Sequence, residues 1–260
     1  MSSIEINTDE RFQRLNRAPI VEAVVEFRGK ATTSWVEEDV RKDIEATLEG
    51  FSFLDSQRDY KLEIHPQQPP RHEFRDLGWK GLRFKSTTAE HIARFEKDRC
   101  IFSWLGPYET WDTFREIVMQ VWRVHERVAQ PKEIERLGVR FVNFIPLPQD
   151  AADLQQYIIS SPQSPERLDV ELIDFIHQDR FEVPGHDYFI KIIRTTQSNK
   201  EMPDAGLGLI IDIDVYTTTP FRSDLQQIET KLPQMRWLKN KAFFGTITPE
   251  ERTRLEETTK

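Results

Sequence analysis

The sequence predicts an α+β fold: two pseudo-repeated β-α-β-β-β-α units forming one curved antiparallel sheet packed on helices. Three observations predict it. First, "APIVEAVVEFR" (18–28) alternates Val21, Ala23, Val25 and Phe27 with Glu22, Val24, Glu26 and Arg28, the period of two of a half-buried strand. Second, the same alternation returns in "EIERLGVRFVNFIPLP" (133–148) and "GLGLIIDIDVYTT" (206–218). Third, two long helical stretches, 110–129 and 222–240, hold equivalent places in the two halves, and such a unit buries its sheet against its helices.

The elements follow in order. After the strand over 20–28, "TTSWVEEDVRKDIEATLEG" (32–50) predicts a helix, with a Ser or Thr near 33–34 as its cap and Gly50 at its end. "YKLEIHP" reads as a short strand ended by Pro66, "QQPPRHEF" as a loop, and "GLRFKSTT" with "EHIARFEKDRCIFSWL" as a strand pair. "YETWDTFREIVMQVWRVHERVAQ" (108–130) is the clearest helix, with Phe114, Ile117, Val118, Val121, Val124 and Val128 on its apolar face and Pro131 beyond it. In the second half come a strand at 133–148, a short helix at "QDAADLQQYII", a strand at "DVELIDFIHQDRFEV", and strands at "YFIKIIRTTQ" and "GLGLIIDIDVYTT" joined by the loop "SNKEMPDA". A helix at "RSDLQQIETKLPQMRWLKN" should bend or break at Pro233. A last short helix opens at "TPEE", with Thr248 as N-cap, Pro249 at the first helical position and Glu251 as capping-box partner. This divides the chain into a flexible N-terminal segment (1–16), a first half (17–131) and a second half (132–260), the halves forming one compact domain.

Composition narrows the function classes. The chain has 260 residues, 38% hydrophobic and 31% charged, with 17 Phe and 6 Trp to build a core. Its formal charge of -8 argues against a surface that neutralises nucleic-acid phosphates globally. One cysteine, Cys100, precludes an internal disulfide and suits a reducing cytoplasm. The polar N-terminus and the lack of any apolar run near ~20 residues predict a cytoplasmic chain with no membrane contact.

The candidate site residues are Glu22, Glu26, Arg140, Asp212 and Asp214, as a polar sheet-face binding surface. Glu22 and Glu26 lie about 13 Å apart along a strand, too far for a glycosidase pair. Asp212 and Asp214 share a face about 6.6 Å apart, an arrangement that could hold magnesium or face arginines on the next strand. Arg140, in the opposite register from Phe141, would face the polar side beside Glu22 or Glu26 in an Arg–Glu network between the halves. Asn143 shares a face with Val139 and Phe141 and would be a buried amide needing partners. His125 ends an apolar helical seam and reads as a hydrogen-bonded core or interface residue. No nucleophile elbow, phosphate loop, dinucleotide glycine pattern or zinc spacing occurs, so no cofactor, catalytic residue or metal ligand is assigned. Arg83, Lys85, Arg94 and Arg99 interleave with Trp79 and Trp104, as stacking sites for single-stranded bases would, but Glu96 and Asp98 lie among them and point to cross-strand ion pairs.

The stretches "RAPIVEAVVEFR", "WDTFREIVMQVW", "IERLGVRFVNFIPLP" and "WLKNKAFFGTITPE" together resemble a sporadically distributed, uncharacterised prokaryotic family of about this length, over nearly the whole chain. The family has no agreed activity, and its patchy distribution implies accessory loci such as defence modules. In "KNKAFFGTIT", Phe243 and Phe244 would sit between two helices and pin the tail. The element order also resembles the TATA-binding-protein-like architecture, in topology alone.

The leading functional expectation is a non-enzymatic binding protein that takes a protein partner or a second copy of itself, with Trp35, Trp111, Trp122 and Trp237 on helices. The alternatives are a metal-dependent phosphoesterase or nuclease using Asp212 and Asp214 with a Glu from 20–28, and a single-stranded nucleic-acid binder on the sheet face.

Overall fold

A computed structural model describes residues 3–65, 71–88, 90–148, 154–162, 172, 174–198 and 207–257. It is an α+β protein with one large antiparallel sheet. The sheet strands are β1 (Ile20–Arg28), β2 (Phe51–His65), β3 (Arg71–Ser86), β4 (His91–Glu96), β5 (Arg99–Leu105), β7 (Arg136–Pro146), β8 (Ile176–Glu182), β9 (Phe189–Ser198) and β10 (Leu207–Thr217). Among the described residues the nine strands run in the order β2-β3-β4-β5-β1-β7-β10-β9-β8. Two short strands, β6 (Glu133–Ile134) and β11 (Phe221–Arg222), pair separately. The helices are α1 (Glu37–Glu45), α2 (Trp111–Ala129), α3 (Leu225–Thr246) and α4 (Pro249–Glu256).

Strand alternation sets the two faces. Ala23, Val25 and Phe27 of β1 stand beside Phe141, Val139 and Leu137 of β7, and Phe141 and Val139 stand beside Ile213 and Val215 of β10. All are buried. On this face α2 packs on β5, α3 packs on β10, β7 and β9, and α1 rests on α2, β2 and β3. Aromatic rings fill the interior: Phe27 stacks on Trp122 with centroids 4.4 Å apart, and Phe114 meets both Phe102 and Phe141. Each such ring stabilises the fold by roughly 1.5–3 kcal/mol through burial alone. Among the described residues no helix packs on the opposite face, which is open.

Several sequence expectations are corrected here. The first helix is shorter than 32–50 and its N-cap is Val36, with no side-chain cap. Thr33 instead donates its hydroxyl to the Val128 carbonyl, tying the lead-in to α2, and Trp35 precedes α1 rather than lying on it. The strand expected at 60–65 begins at Phe51, and residues 71–74, expected as loop, open β3; residues 66–70 lie outside the described residues. β3 pairs with β4 only from Gly81 to Lys85. The rest of the β2–β3 hairpin therefore runs on as a two-stranded arm. Bulges near Phe53/Asp55, Gln57/Arg58 and Asp59/Tyr60 break its alternation, which is why the period of two fades there.

In the second half, the described part of the helix expected at 149–159 is a single 3₁₀ turn, Leu154–Gln156. The expected loop "SNKEMPDA" and the start of "DVELIDF" fall largely outside the described residues. α3 does not break at Pro233; it continues to Thr246 and contains Phe243 and Phe244. Leu232, Met235, Trp237 and Leu238 bury on both sides of the proline, and that packing offsets the lost backbone bond. At α4, Thr248 accepts from the Glu251 amide as expected. The Glu251 carboxylate, however, turns to Arg254 instead of closing a capping box.

His125 is 1% exposed. Its ring packs against Trp35, Phe95 and Trp122, and its Nδ1 has no hydrogen-bond partner. Burial pushes its pKa down to about 3, so it fills the core as a neutral ring. The N-terminal segment lies along the second half: the Ile4 amide donates to the Pro184 carbonyl, Glu10 accepts from Trp237 and Lys241, and Phe12 stacks on Phe244.

Candidate functional site

The open face forms a groove of about 400 Å³ across β4, β5, β1, β7, β10 and β9. Register builds it row by row. One row across the strands reads Ile92, Ser103, Val24, Arg140, Asp214 and Lys191. Its neighbour reads Arg83, Arg94, Ile101, Glu26, Gly138 and Tyr216. Residues two apart on a strand share a face, so Glu22, Glu26, Arg140, Asp212 and Asp214 all line this one groove.

Arginines hold three of the four carboxylates, Glu26, Asp212 and Asp214. Arg140 grips Asp212 with two hydrogen bonds, Nε to Oδ1 at 2.8 Å and Nη2 to Oδ2 at 2.7 Å, the bidentate geometry that suits a guanidinium and a carboxylate. Arg140 also feels the charge of Glu22. Arg136, which the sequence reading did not single out, bridges two strands. It hydrogen-bonds to Glu26 through Nη1 and to the Asp214 Oδ2 through Nη2, the latter at 2.9 Å. Its guanidinium reaches both because it lies back over Gly138. A Cβ there would stand 2.5 Å from Nη1, and the Tyr216 ring supports it with its centroid 4.9 Å from Cζ. Arg28 gives Glu26 a further partner at 2.8 Å, and Arg99 lies 3.9 Å from it. The expected network thus exists with different pairings: Arg140 serves an aspartate, and Arg136 joins Glu26 to Asp214. The signal for Arg136 was its spacing of four from Arg140, which puts both on one face of the strand.

Asp214 is 8% exposed. Burial pushes its carboxyl pKa up, while Arg136 and Lys191 pull it back. Among the described residues no three His, Cys, Asp or Glu side chains gather as a metal-ion site. Two cations in the groove differ from the arginines above. Arg94 leaves its buried Nε without a hydrogen-bond partner, and Lys191 stands beside Asp214 at Coulomb range only. They lie toward opposite ends of the groove, with Val24, Ile92, Ile101 and Ile193 as apolar lining between and around them.

No protein-family model and no curated protein matches this chain. An arginine-held carboxylate is a poor general base and a poor metal ligand, because its lone pairs and its charge are already engaged. The groove offers a preorganised charged floor, apolar lining and two under-satisfied cations.

The basic and aromatic residues considered for base stacking divide between the faces. Trp104 is buried on the helix side. Arg83 is paired with Asp55 and Lys85 with Glu90. Arg99 joins Glu96 across β4 and β5 at 3.2 Å, so cross-strand pairs account for Arg83 and Arg99, and a turn contact accounts for Lys85.

Proposed function

We propose that this chain is a non-enzymatic binding protein whose open, grooved sheet face receives an acidic segment of a protein partner or of a second copy. One observation carries the reading: Glu26, Asp212 and Asp214 are each held by arginine, while among the described residues Arg94 and Lys191 hold no carboxylate by a hydrogen bond. An incoming carboxylate would complete both. The two-stranded arm beside the groove adds apolar contact area, since Tyr60, Leu62, Phe74 and Leu77 are exposed along it and Tyr60 stacks on Phe74 with centroids 5.0 Å apart.

We read the strand order, with β5 and β10 flanking the central β1–β7 pair, as two related units in a TATA-binding-protein-like arrangement. In that reading the groove lies where the units meet. The family resemblance supports a place in a prokaryotic accessory or defence locus, in the cytoplasm. No described helix is long and apolar enough to cross a membrane.

The test is size-exclusion chromatography with light scattering and a pull-down from the native host, comparing wild type with Arg94→Gln/Lys191→Gln. A partner or dimer lost in the double variant supports the proposal. A wild-type monomer that captures nothing, or a complex indifferent to both substitutions, overturns it.

A further inference from the structure

A second cavity, of about 660 Å³, lies on the helix side, between the N-terminal segment, the start of α2 and the C-terminal half of α3. Its charge is lopsided. Arg14, Arg17, Arg236 and Lys239 line it against one carboxylate, Glu109, in a chain of net charge -8. Lys239 is the unusual member, because it is 9% exposed. Its Nζ sits 4.1 Å from the centroid of the Phe141 ring, and among the described residues no carboxylate pairs with it; the charged group that acts on it is Arg236, a like charge one helical turn away. Burial, reinforced by Arg236, pushes its pKa down to about 7.

A lysine kept for packing would extend its amine to water or meet an acid. This one sits on α3 in phase with the buried Met235 and Phe243, where a methionine would fill the space without the desolvation. Arg236 stands at the same cavity, with Cζ 5.5 Å from the centroid of the Trp111 ring. Five aromatic residues, Phe12, Tyr108, Trp111, Phe243 and Phe244, share the remaining wall with polar side chains such as Asn143 and Asn240. The volume falls in the range of pockets that enclose a small organic molecule.

We propose that this cavity binds a small organic anion, its phosphate or carboxylate head on Lys239 and Arg236 and its aromatic or apolar body against Trp111 and the α3 phenylalanines. The bound anion supplies the counter-charge that the fold withholds from Lys239. Arg14 and Arg17 raise the positive potential at the mouth and favour anion entry. The site lies on the opposite side of the sheet from the groove and does not depend on the groove's partner.

The test is thermal shift and calorimetry on the full chain with phenyl phosphate, benzoate, inorganic phosphate and benzyl alcohol. Phenyl phosphate or benzoate should raise the melting temperature and bind; whichever binds tighter names the head group. Inorganic phosphate and benzyl alcohol should bind at least about tenfold more weakly, each lacking one half of the recognition. Lys239→Met should abolish the shift while remaining folded, and Arg236→Gln should weaken binding about tenfold. A shift that survives in Lys239→Met, or no response to either aromatic anion, overturns the proposal.

Discussion

Lys239→Met should make the protein more stable at neutral pH, by about 3 kcal/mol. The ordinary lysine pKa of 10.5 falls to about 7 in the folded chain because of burial. Below about pH 7 both states carry the proton, and the folded one bears the full cost of a buried ammonium. Between about pH 7 and 10.5 the unfolded chain carries the proton and the folded chain does not, so wild-type stability rises with pH across that window. The shift alone would give a gain above this figure at neutral pH. Loss of the contact with Phe141 takes part of it back. Chemical denaturation at neutral and alkaline pH measures both effects. The gain should be large at pH 7 and shrink toward pH 10. A loss of stability in Lys239→Met at pH 7 would mean that the amine has a satisfying partner in the fold.

Arg136→Ala should have the largest cost of any substitution in the groove, about 3 kcal/mol. Its guanidinium bonds to both Glu26 and Asp214. The side chains of these two acids are 15% and 11% exposed. Removing the arginine leaves two partly buried carboxylates close together, with Lys191 and Arg28 as incomplete replacements. Much of the loss is that residual repulsion rather than the value of the pair, so Arg136→Met/Glu26→Gln/Asp214→Asn should recover most of it. Urea denaturation of the single and triple variants makes the comparison. A single variant within about 0.5 kcal/mol of wild type would mean that solvent screens these charges as it does ordinary surface pairs.

Much of this architecture was legible in the sequence because a period of two is a local signal. Ala23 to Arg28, Leu137 to Ile145 and Leu209 to Val215 each set their own faces, so the side of its own strand that each of Glu22, Glu26, Arg140, Asp212 and Asp214 takes needed no long-range information. Their partners did. Arg136 and Asp214 lie 78 residues apart, and only the β1–β7–β10 register brings them together. The expectation of Arg140 beside a glutamate was close, yet β10 supplied the nearer acid. The arm runs past the short strand that the sequence predicts because its bulges and alternating charges blur the period of two, and α3 runs unbroken through Pro233, where a local rule about proline predicts a bend or break, because residues on both sides of it are buried. Lys239 passed unnoticed for a related reason. Its charge suggests solvent, while its spacing of four from both Met235 and Phe243 puts it in the buried phase of the helix, and a search for charged residues in apolar phase would have found it.

Glu26, Asp212 and Asp214 are held by arginines as the floor of a binding surface. A manganese titration followed by thermal melting tests it most directly, with wild type beside Asp212→Asn. The melting temperature should stay unchanged by manganese in both. A rise in wild type that Asp212→Asn removes would contradict it, for it would show Asp212 exchanging Arg140 for a metal ion.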